Sequence, residues 1–288
     1  MKKTDITKEL KNKTILITGG AGSIGSVLVK KILEFPVKTV RILDIDEHGL
    51  FRLKRSIKDN RIRLLLGSIL DKERIEIAAN NVDIIFHMAA VKNIEISEFN
   101  PIETIDTNIN GTVNMIKVAI KSKPKKFVNI STDKAVDPAT LYGTTKQLGE
   151  KLTSWAGLHV SPTKFASIRL GNVFETKGNV FEIWHDENKN KKPLSITDIE
   201  MKRYFFHVNE AINFILQCLP LVNKGEIFVP KMKSHNVRDL ALKISNKHKI
   251  IGSRQGEKIE EILISDKEKE KSVERKNMWI IHSKINLI

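Results

Sequence analysis

The stretch TILITGGAGSIG, residues 14–25, constrains this chain more than any other. An apolar, β-branched run at 14–18 ends in glycines, and residues 23–35 then place Ile24, Val27, Leu28, Ile32 and Leu33 at helical spacing. A strand that turns through glycines into an amphipathic helix is how a parallel sheet begins. Gly19, Gly22 and Gly25 have the spacing G-x-x-G-x-x-G. Glycines here let the backbone approach a pyrophosphate, whose charge rests on the helix N-terminus. Their place, directly after a strand and before a helix, gives the motif its specificity.

The alternation continues. VRIL (40–43), RLLL (63–66), VDIIFH (82–87), KFVNIS (126–131) and SIRL (167–170) read as strands, with helical stretches between them such as 103–121. The expected fold class is α/β, a Rossmann-like doubly wound parallel sheet covered on both faces. After residue 170 the pattern becomes irregular, and Pro, Asn and charged residues crowd 175–204. A helix at 209–219, a strand at 226–230 (EIFVP) and a helix at 236–247 follow. Residues 1–170 are therefore expected to form the dinucleotide-binding domain. Residues 171–288 are expected to be mainly a small C-terminal substrate-binding lobe, interleaved with the sheet. The final WIIHSKINLI stays unassigned.

Composition narrows the function. Apolar residues make up 41% of 288, enough for a full core. No apolar run reaches the roughly 18 residues that span a bilayer. MKKTDITKEL lacks the apolar stretch of a signal peptide. A single cysteine, Cys218, excludes an intramolecular disulfide and a cysteine metal cluster, and in AINFILQC it reads as a buried structural thiol. These features fit a cytoplasmic protein with no membrane span and no metal. The net charge of +15 raises nucleic-acid binding, but the lysines are scattered and aromatics are only 6%. A lysine-rich surface on a protein that handles small anions is the better reading.

The end of the second strand, ILDID, places Asp44 where a carboxylate hydrogen-bonds ribose hydroxyls and repels a 2′-phosphate. Ile45, not Arg, follows, so NAD is expected over NADP. STDKAVDPATLYGTTK (131–146) carries the chemistry. Tyr142 and Lys146, four apart, share a helix face. The Lys146 ammonium is expected to lower the tyrosine pKa. The phenolate can then take a hydroxyl proton while hydride leaves, with Thr132 bonded to the same oxygen. Asp133 and Lys134 exceed what hydride transfer needs.

Here the sequence resembles the extended short-chain dehydrogenase/reductases, and more narrowly the inverting UDP-N-acetylglucosamine 4,6-dehydratases of the CapD-like polysaccharide biosynthesis family. The resemblance runs from Thr14 to about Ile264, on TILITGGAGSIG, VDIIFHMAAVKNIEISEFNPIETIDTNINGT, STDKAVDPATLYGTTK, RLGNV, ITDIEMKRYF, KGEIFVPKM and IIGSRQGEK. Such enzymes oxidise C4 of the sugar, lose water across C5–C6, return hydride to C6 and reprotonate C5 from the opposite face. The resemblance implies that Asp133 and Lys134 are the acid/base pair for that elimination. Asp133 is provisionally the acid for the departing hydroxyl and Lys134 the C5 acid/base. Retaining dehydratases carry Asp-Glu there and 4-epimerases lack the pair, so Lys134 implies inversion.

The same resemblance extends the site. Ser23 and Ile24 with the glycines, Ser68 and Ile69 after the third strand, Ala89 and Ala90 after the fourth, Asn108, and Val173 are implied at the cofactor, Asn108 orienting the Tyr–Lys pair. Lys92, Asn172, Lys177 and Arg254 are implied at the UDP-sugar, Arg254 on the diphosphate. Lys177 stands in Glu175-Thr176-Lys177-Gly178, where the family has Gly-Ser-Arg-Gly; a lysine keeps the charge but not the bidentate fork. Ser68 replaces an Asp, which implies a weaker adenine contact, and Asn93 and Glu95 replace His and Pro, Glu95 adding negative charge near the ligand. A homo-oligomer built through core-domain helices is also implied. The competing readings are a UDP-sugar 4-epimerase and a non-catalytic dinucleotide-binding regulator.

Overall fold

The computed structural model describes residues 3–253 and 256–283. Six strands follow one another through the first part: β1 (Thr14–Thr18), β2 (Thr39–Asp44), β3 (Ile62–Leu66), β4 (Ile84–His87), β5 (Lys126–Thr132) and β6 (Lys164–Leu170). Then come β7 (Asn172–Val173), β8 (Leu194–Ile196), β9 (Lys202–Phe206), β10 (Lys224–Pro230), β11 (Ser234–Asn236), β12 (His248–Ile250), β13 (Ser272–Glu274) and β14 (Met278–Ile281).

The main sheet has the order β13-β14-β10-β6-β5-β4-β1-β2-β3. It is parallel from β3 through β10, and β14 and β13 add antiparallel. The residues of β1 are all buried because both faces are covered. Ile15 and Ile17 meet Leu28 and Ile32 of the Ser23–Leu33 helix on one face; Leu16 joins Ile85, Met115 and Phe127 on the other. The order reverses at β1, between β2 and β4, and such a switch point opens a crevice at the carboxyl ends of the strands.

Residues after 170 serve two bodies. The Val208–Cys218 helix buries its apolar face, Cys218 included, in the same core as β1, and β10 extends the main sheet. Trp184, Leu194, Ile196, Met201, Phe205, Val237 and Leu240 form a separate small core. Trp184 is fully buried there and donates its indole N–H to the Ser195 carbonyl at 2.7 Å.

Two helices differ from expectation. The expected helix at 103–121 is a short helix Pro101–Ile105, a π-helical turn Asp106–Asn110 and a helix Gly111–Ser122. The one at 236–247 ends at Leu242, where the chain turns toward β12. The unassigned tail contributes β14, with Ile227 opposite Ile281.

Candidate active site

A cavity of about 860 Å³ lies along the carboxyl ends of β1, β2, β4, β5 and β6, closed by the small core. On the β1 side it is bounded by Gly19, Gly22, Ser23, Ile24 and Gly25. Gly19 has φ +68°, and a Cβ there would lie 2.8 Å from the Ala89 backbone. A Cβ on Gly25 would stand 2.5 Å from the Gly19 carbonyl oxygen. Glycine at these positions lets the helix N-terminus sit against the turn. Gly22 caps that helix with no side-chain bond, which leaves its first N–H groups available to an anion.

Asp44, at the tip of β2, is held in place by the glycine turn after β1 and by its own loop. Its carboxylate accepts N–H bonds from Ala21 at 2.8 Å and Asp46 at 3.0 Å. Ser68, Ile69, Ala89, Ala90 and Val173 line the same cavity. The Ser68 hydroxyl accepts from the Leu70 N–H at 3.1 Å. Lys92 and Lys177 meet across the cavity mouth: Lys92 Nζ donates to the Lys177 carbonyl at 2.9 Å, and the Lys177 N–H donates to Ser23 Oγ at 3.1 Å.

The Leu141–His159 helix starts at Thr140, whose side chain accepts from the Gly143 N–H at 3.1 Å. Tyr142 and Lys146 both face the cavity. The Lys146 ammonium donates to the Ile130 carbonyl at 2.6 Å, and burial lowers its pKa to about 8 against the pull of Glu150. The sequence leads one to expect that Lys146 lowers the tyrosine; the causes acting on Tyr142 are different ones. Burial pushes the Tyr142 phenol up; the cation that opposes this is Lys134, with help from the Thr132 hydroxyl. Gly143 permits the approach, since a Cβ there would collide with the Lys134 carbonyl oxygen.

At the end of β5, Asp133–Ala135 form a single 3₁₀ turn. Asp133 is fully buried and does not reach the cavity wall. Its carboxylate accepts from Thr132 Oγ1 at 3.0 Å, Lys134 Nζ at 3.0 Å and Asn172 Nδ2 at 3.5 Å. Lys134 and Asn172 do line the cavity, and Lys134 Nζ also donates to Asn172 Oδ1 at 3.3 Å. Although burial favours the neutral amine, Asp133 and Glu261 raise the Lys134 pKa.

Two implied contacts are revised and one lies outside the described residues. Asn108 is not on the cavity. It sits in the π-helical turn, accepts from the Val91 N–H at 2.8 Å, and donates to the Val91 carbonyl at 2.9 Å and Thr145 Oγ1 at 3.0 Å. It therefore ties the loop after β4 to the Tyr–Lys helix. Glu95 also stays off the cavity wall. Arg254 lies outside the described residues. Among the described residues no cluster of His, Cys, Asp or Glu could hold a metal, and no helix is long and apolar enough to cross a membrane.

Sequence reading missed His87 and Glu261. His87 ends β4 beneath the site, with Nδ1 2.8 Å from Thr18 Oγ1 and Nε2 3.0 Å from Thr112 Oγ1. Burial, then the Lys146 charge, lowers its pKa to about 3. The imidazole is therefore neutral in the fold, while the unfolded chain protonates below about 6.5. The unfolded state then binds more protons, and stability falls as pH drops from 6.5 toward 3. Urea melts should show about 3 kcal/mol lost to this group between pH 7 and about pH 4. A His87→Gln variant should lose that part of the dependence.

The sequence matches the family described as polysaccharide biosynthesis protein over residues 15–283. The chain belongs to this family. It is 40% identical to a Methanocaldococcus jannaschii protein named an uncharacterized membrane protein, covering 96% of this chain and 88% of that one. It is 36% identical to a Campylobacter jejuni protein named UDP-N-acetylglucosamine 4,6-dehydratase (inverting), covering 96% and 84%. Among solved structures, Pen from Bacillus thuringiensis superposes with a TM-score of 0.91 at 34% identity, covering 95% and 88%. The family thus places the chain among the nucleotide-sugar dehydratases and epimerases of the extended short-chain dehydrogenase/reductase superfamily, with the Rossmann-type sheet described above.

Proposed function

We propose that this protein is an NAD-dependent inverting 4,6-dehydratase of UDP-N-acetylglucosamine, acting in the cytoplasm in surface-glycan synthesis. The observation that carries this is the placement of Lys134, held by Asp133, on the same cavity as Tyr142 and Lys146. Oxidation alone needs only the tyrosine side; the Asp133–Lys134 pair supplies a second proton-transfer site.

The cofactor pocket fits a dinucleotide. The Gly19–Gly25 turn has no room for side chains at its close approaches, and the helix behind it offers uncapped N–H groups. Asp44 would hold the adenosine ribose and Lys146 the ribose next to nicotinamide. NAD held there would supply a hydride acceptor for oxidation at C4 and the hydride donor for C6. Tyr142, with the Thr132 hydroxyl opposing the rise in its pKa, would take the C4 hydroxyl proton as its phenolate. Oxidation at C4 would acidify the C5 proton, which Lys134, on the cavity wall, would receive. Asp133, turned away from the cavity, anchors Lys134 and Thr132. This favours Lys134 over Asp133 as the group that meets the sugar. Lys92 and Lys177 would sit near the diphosphate, and Arg254 is proposed there by resemblance.

A homo-oligomer remains part of the reading. Phe99 is 76% exposed, Ile102 69% and Trp155 48%, on adjoining helices of the main domain.

Two measurements bear on the proposal. Mass analysis of UDP-N-acetylglucosamine incubated with enzyme and NAD should show a nucleotide sugar lighter by one water; an isomer of unchanged mass would mean epimerase. Titration calorimetry should show NAD bound roughly 10- to 100-fold tighter than NADP, as expected for charged hydrogen bonds at Asp44. Asp44→Ala should close that gap, and tighter NADP in the unaltered protein would refute the cofactor assignment.

A further inference from the structure

A base needs a lone pair, and Lys134 does not present one as it stands. Among the described residues its Nζ meets three acceptors: Asp133 Oδ1 at 3.0 Å, Asn172 Oδ1 at 3.3 Å and Glu261 Oε1 at 4.0 Å. The group is thereby held as an ammonium. To take a proton from carbon it must first lose one of its own.

Two carboxylates could receive that proton, and they differ. Asp133 already accepts from the Thr132 hydroxyl, Lys134 and Asn172, and it does not reach the cavity wall. Glu261 is 5% exposed and lines the cavity beside Lys134. Burial raises its pKa; Lys134, Arg203 and Lys258 oppose this, and Asp133 adds to it. The other two cations are committed elsewhere. Arg203 donates to the Lys202 and Ile259 carbonyls and pairs with Glu257 at 3.5 Å. Lys258 donates to the Val136 carbonyl at 2.9 Å and also to that of Asp137. Glu261 is thus a nearly buried carboxylate whose ion-pair partner among the described residues is Lys134.

We infer that Glu261 is the proton-holding partner of Lys134 in the reaction proposed above. It takes a proton from Nζ, so that the neutral amine can receive the C5 proton. One N–H bond breaks as one O–H bond forms on Glu261. The C5–H bond then breaks, its proton goes to nitrogen, and its electron pair forms the C4–C5 double bond of an enolate as the C4 carbonyl pair moves onto oxygen. When that pair returns, the C4–C5 pair forms the C5–C6 double bond and the C6–O bond breaks, the departing hydroxide taking a proton from the Lys134 ammonium to leave as water. The direct transfer needs the 4.0 Å gap to close by about 1 Å, within reach of a side-chain rotation. Glu261 acts through Lys134 and is a positioning residue, not one that touches the sugar.

The inference rests on the proposed activity, so its test includes a readout that does not. Protein labelled with ¹³C at lysine Cε and loaded with NAD is titrated by NMR, with and without Glu261→Gln. The Lys134 signal is identified by its loss in Lys134→Met. The Lys134 titration should move to lower pH in Glu261→Gln; no movement overturns the inference whatever the activity. With UDP-N-acetylglucosamine, Glu261→Gln should exchange C5 with solvent on the order of 10²-fold more slowly while C4 oxidation is kept. Glu261→Asp should recover part of the exchange. Unchanged exchange would reduce Glu261 to an electrostatic neighbour and overturn the inference. If the unaltered protein does not turn over this sugar but the titration moves, the substrate reading fails and the Glu261–Lys134 partnership stands.

Discussion

Lys134→Met is expected to cut dehydration about 10³-fold, in the range of a lost general acid/base, while sparing part of the C4 oxidation. The elimination loses the cavity-facing group that receives the C5 proton. Hydride transfer keeps Tyr142, Thr132 and Lys146. It is not untouched, because Lys134 is the cation that counters the burial of Tyr142. Removing it raises the phenol further, so C4 oxidation should slow and its pH dependence should move to higher pH. Tyr142→Phe should abolish both steps. Single-turnover absorbance of the reduced cofactor, with product analysis, separates the two. The variant leaves Asp133 buried without its ammonium, so Asp133→Asn/Lys134→Met controls for instability. If Lys134→Met dehydrates at the original rate, the acid/base assignment is wrong.

The largest stability loss is expected at Arg169, deep in β6. This side chain is 1% exposed and bridges two carboxylates. Its guanidinium donates to Glu150 at 3.1 and 2.7 Å, to Glu268 at 3.0 and 2.8 Å, and to the Leu263 carbonyl at 2.9 Å. It therefore ties the Tyr–Lys helix to residues 263–268, just beyond Glu261. Breaking a buried pair by removing one partner typically costs about 3–5 kcal/mol. Arg169→Ala should lower Tm by roughly 5–15 °C. An Arg169→Met/Glu150→Gln double variant should recover part of this, since no uncompensated charge stays buried on the helix. Glu150 also acts on Lys146, so the single variant should raise the Lys146 pKa as well as lower stability. An Arg169→Ala protein that melts within a degree or two of the parent would show that the network is dispensable.

Much of this was legible because local patterns and long-range packing agreed. β1 is a β-branched and apolar run buried at every position, and β5 is likewise buried throughout, as strands covered on both faces are. The glycine turn, Asp44 and Tyr142–Lys146 are short-range signals whose spacing carries their geometry. What escaped the sequence depended on distant partners. β14 lies in a tail whose apolar residues could not be paired with β10 by pattern alone. The π-helical turn follows from Asn108 reaching both Val91 and Thr145, a tertiary demand within an otherwise regular helical run. Asp133 and Lys134 are neighbours in sequence, yet one is buried and the other meets the cavity. Glu261 sits in GEKIEE, which reads as a solvated charge run; only the fold brings it to Lys134.

The central claim is that this cavity oxidises, dehydrates and inverts one nucleotide sugar. The most direct measurement is NMR of UDP-N-acetylglucosamine turned over with NAD in deuterated water. The account predicts a 4-keto-6-deoxy sugar with deuterium at C5 and the configuration at C5 inverted. UDP-N-acetylgalactosamine, with the C6 oxygen retained and no deuterium at C5, would contradict it.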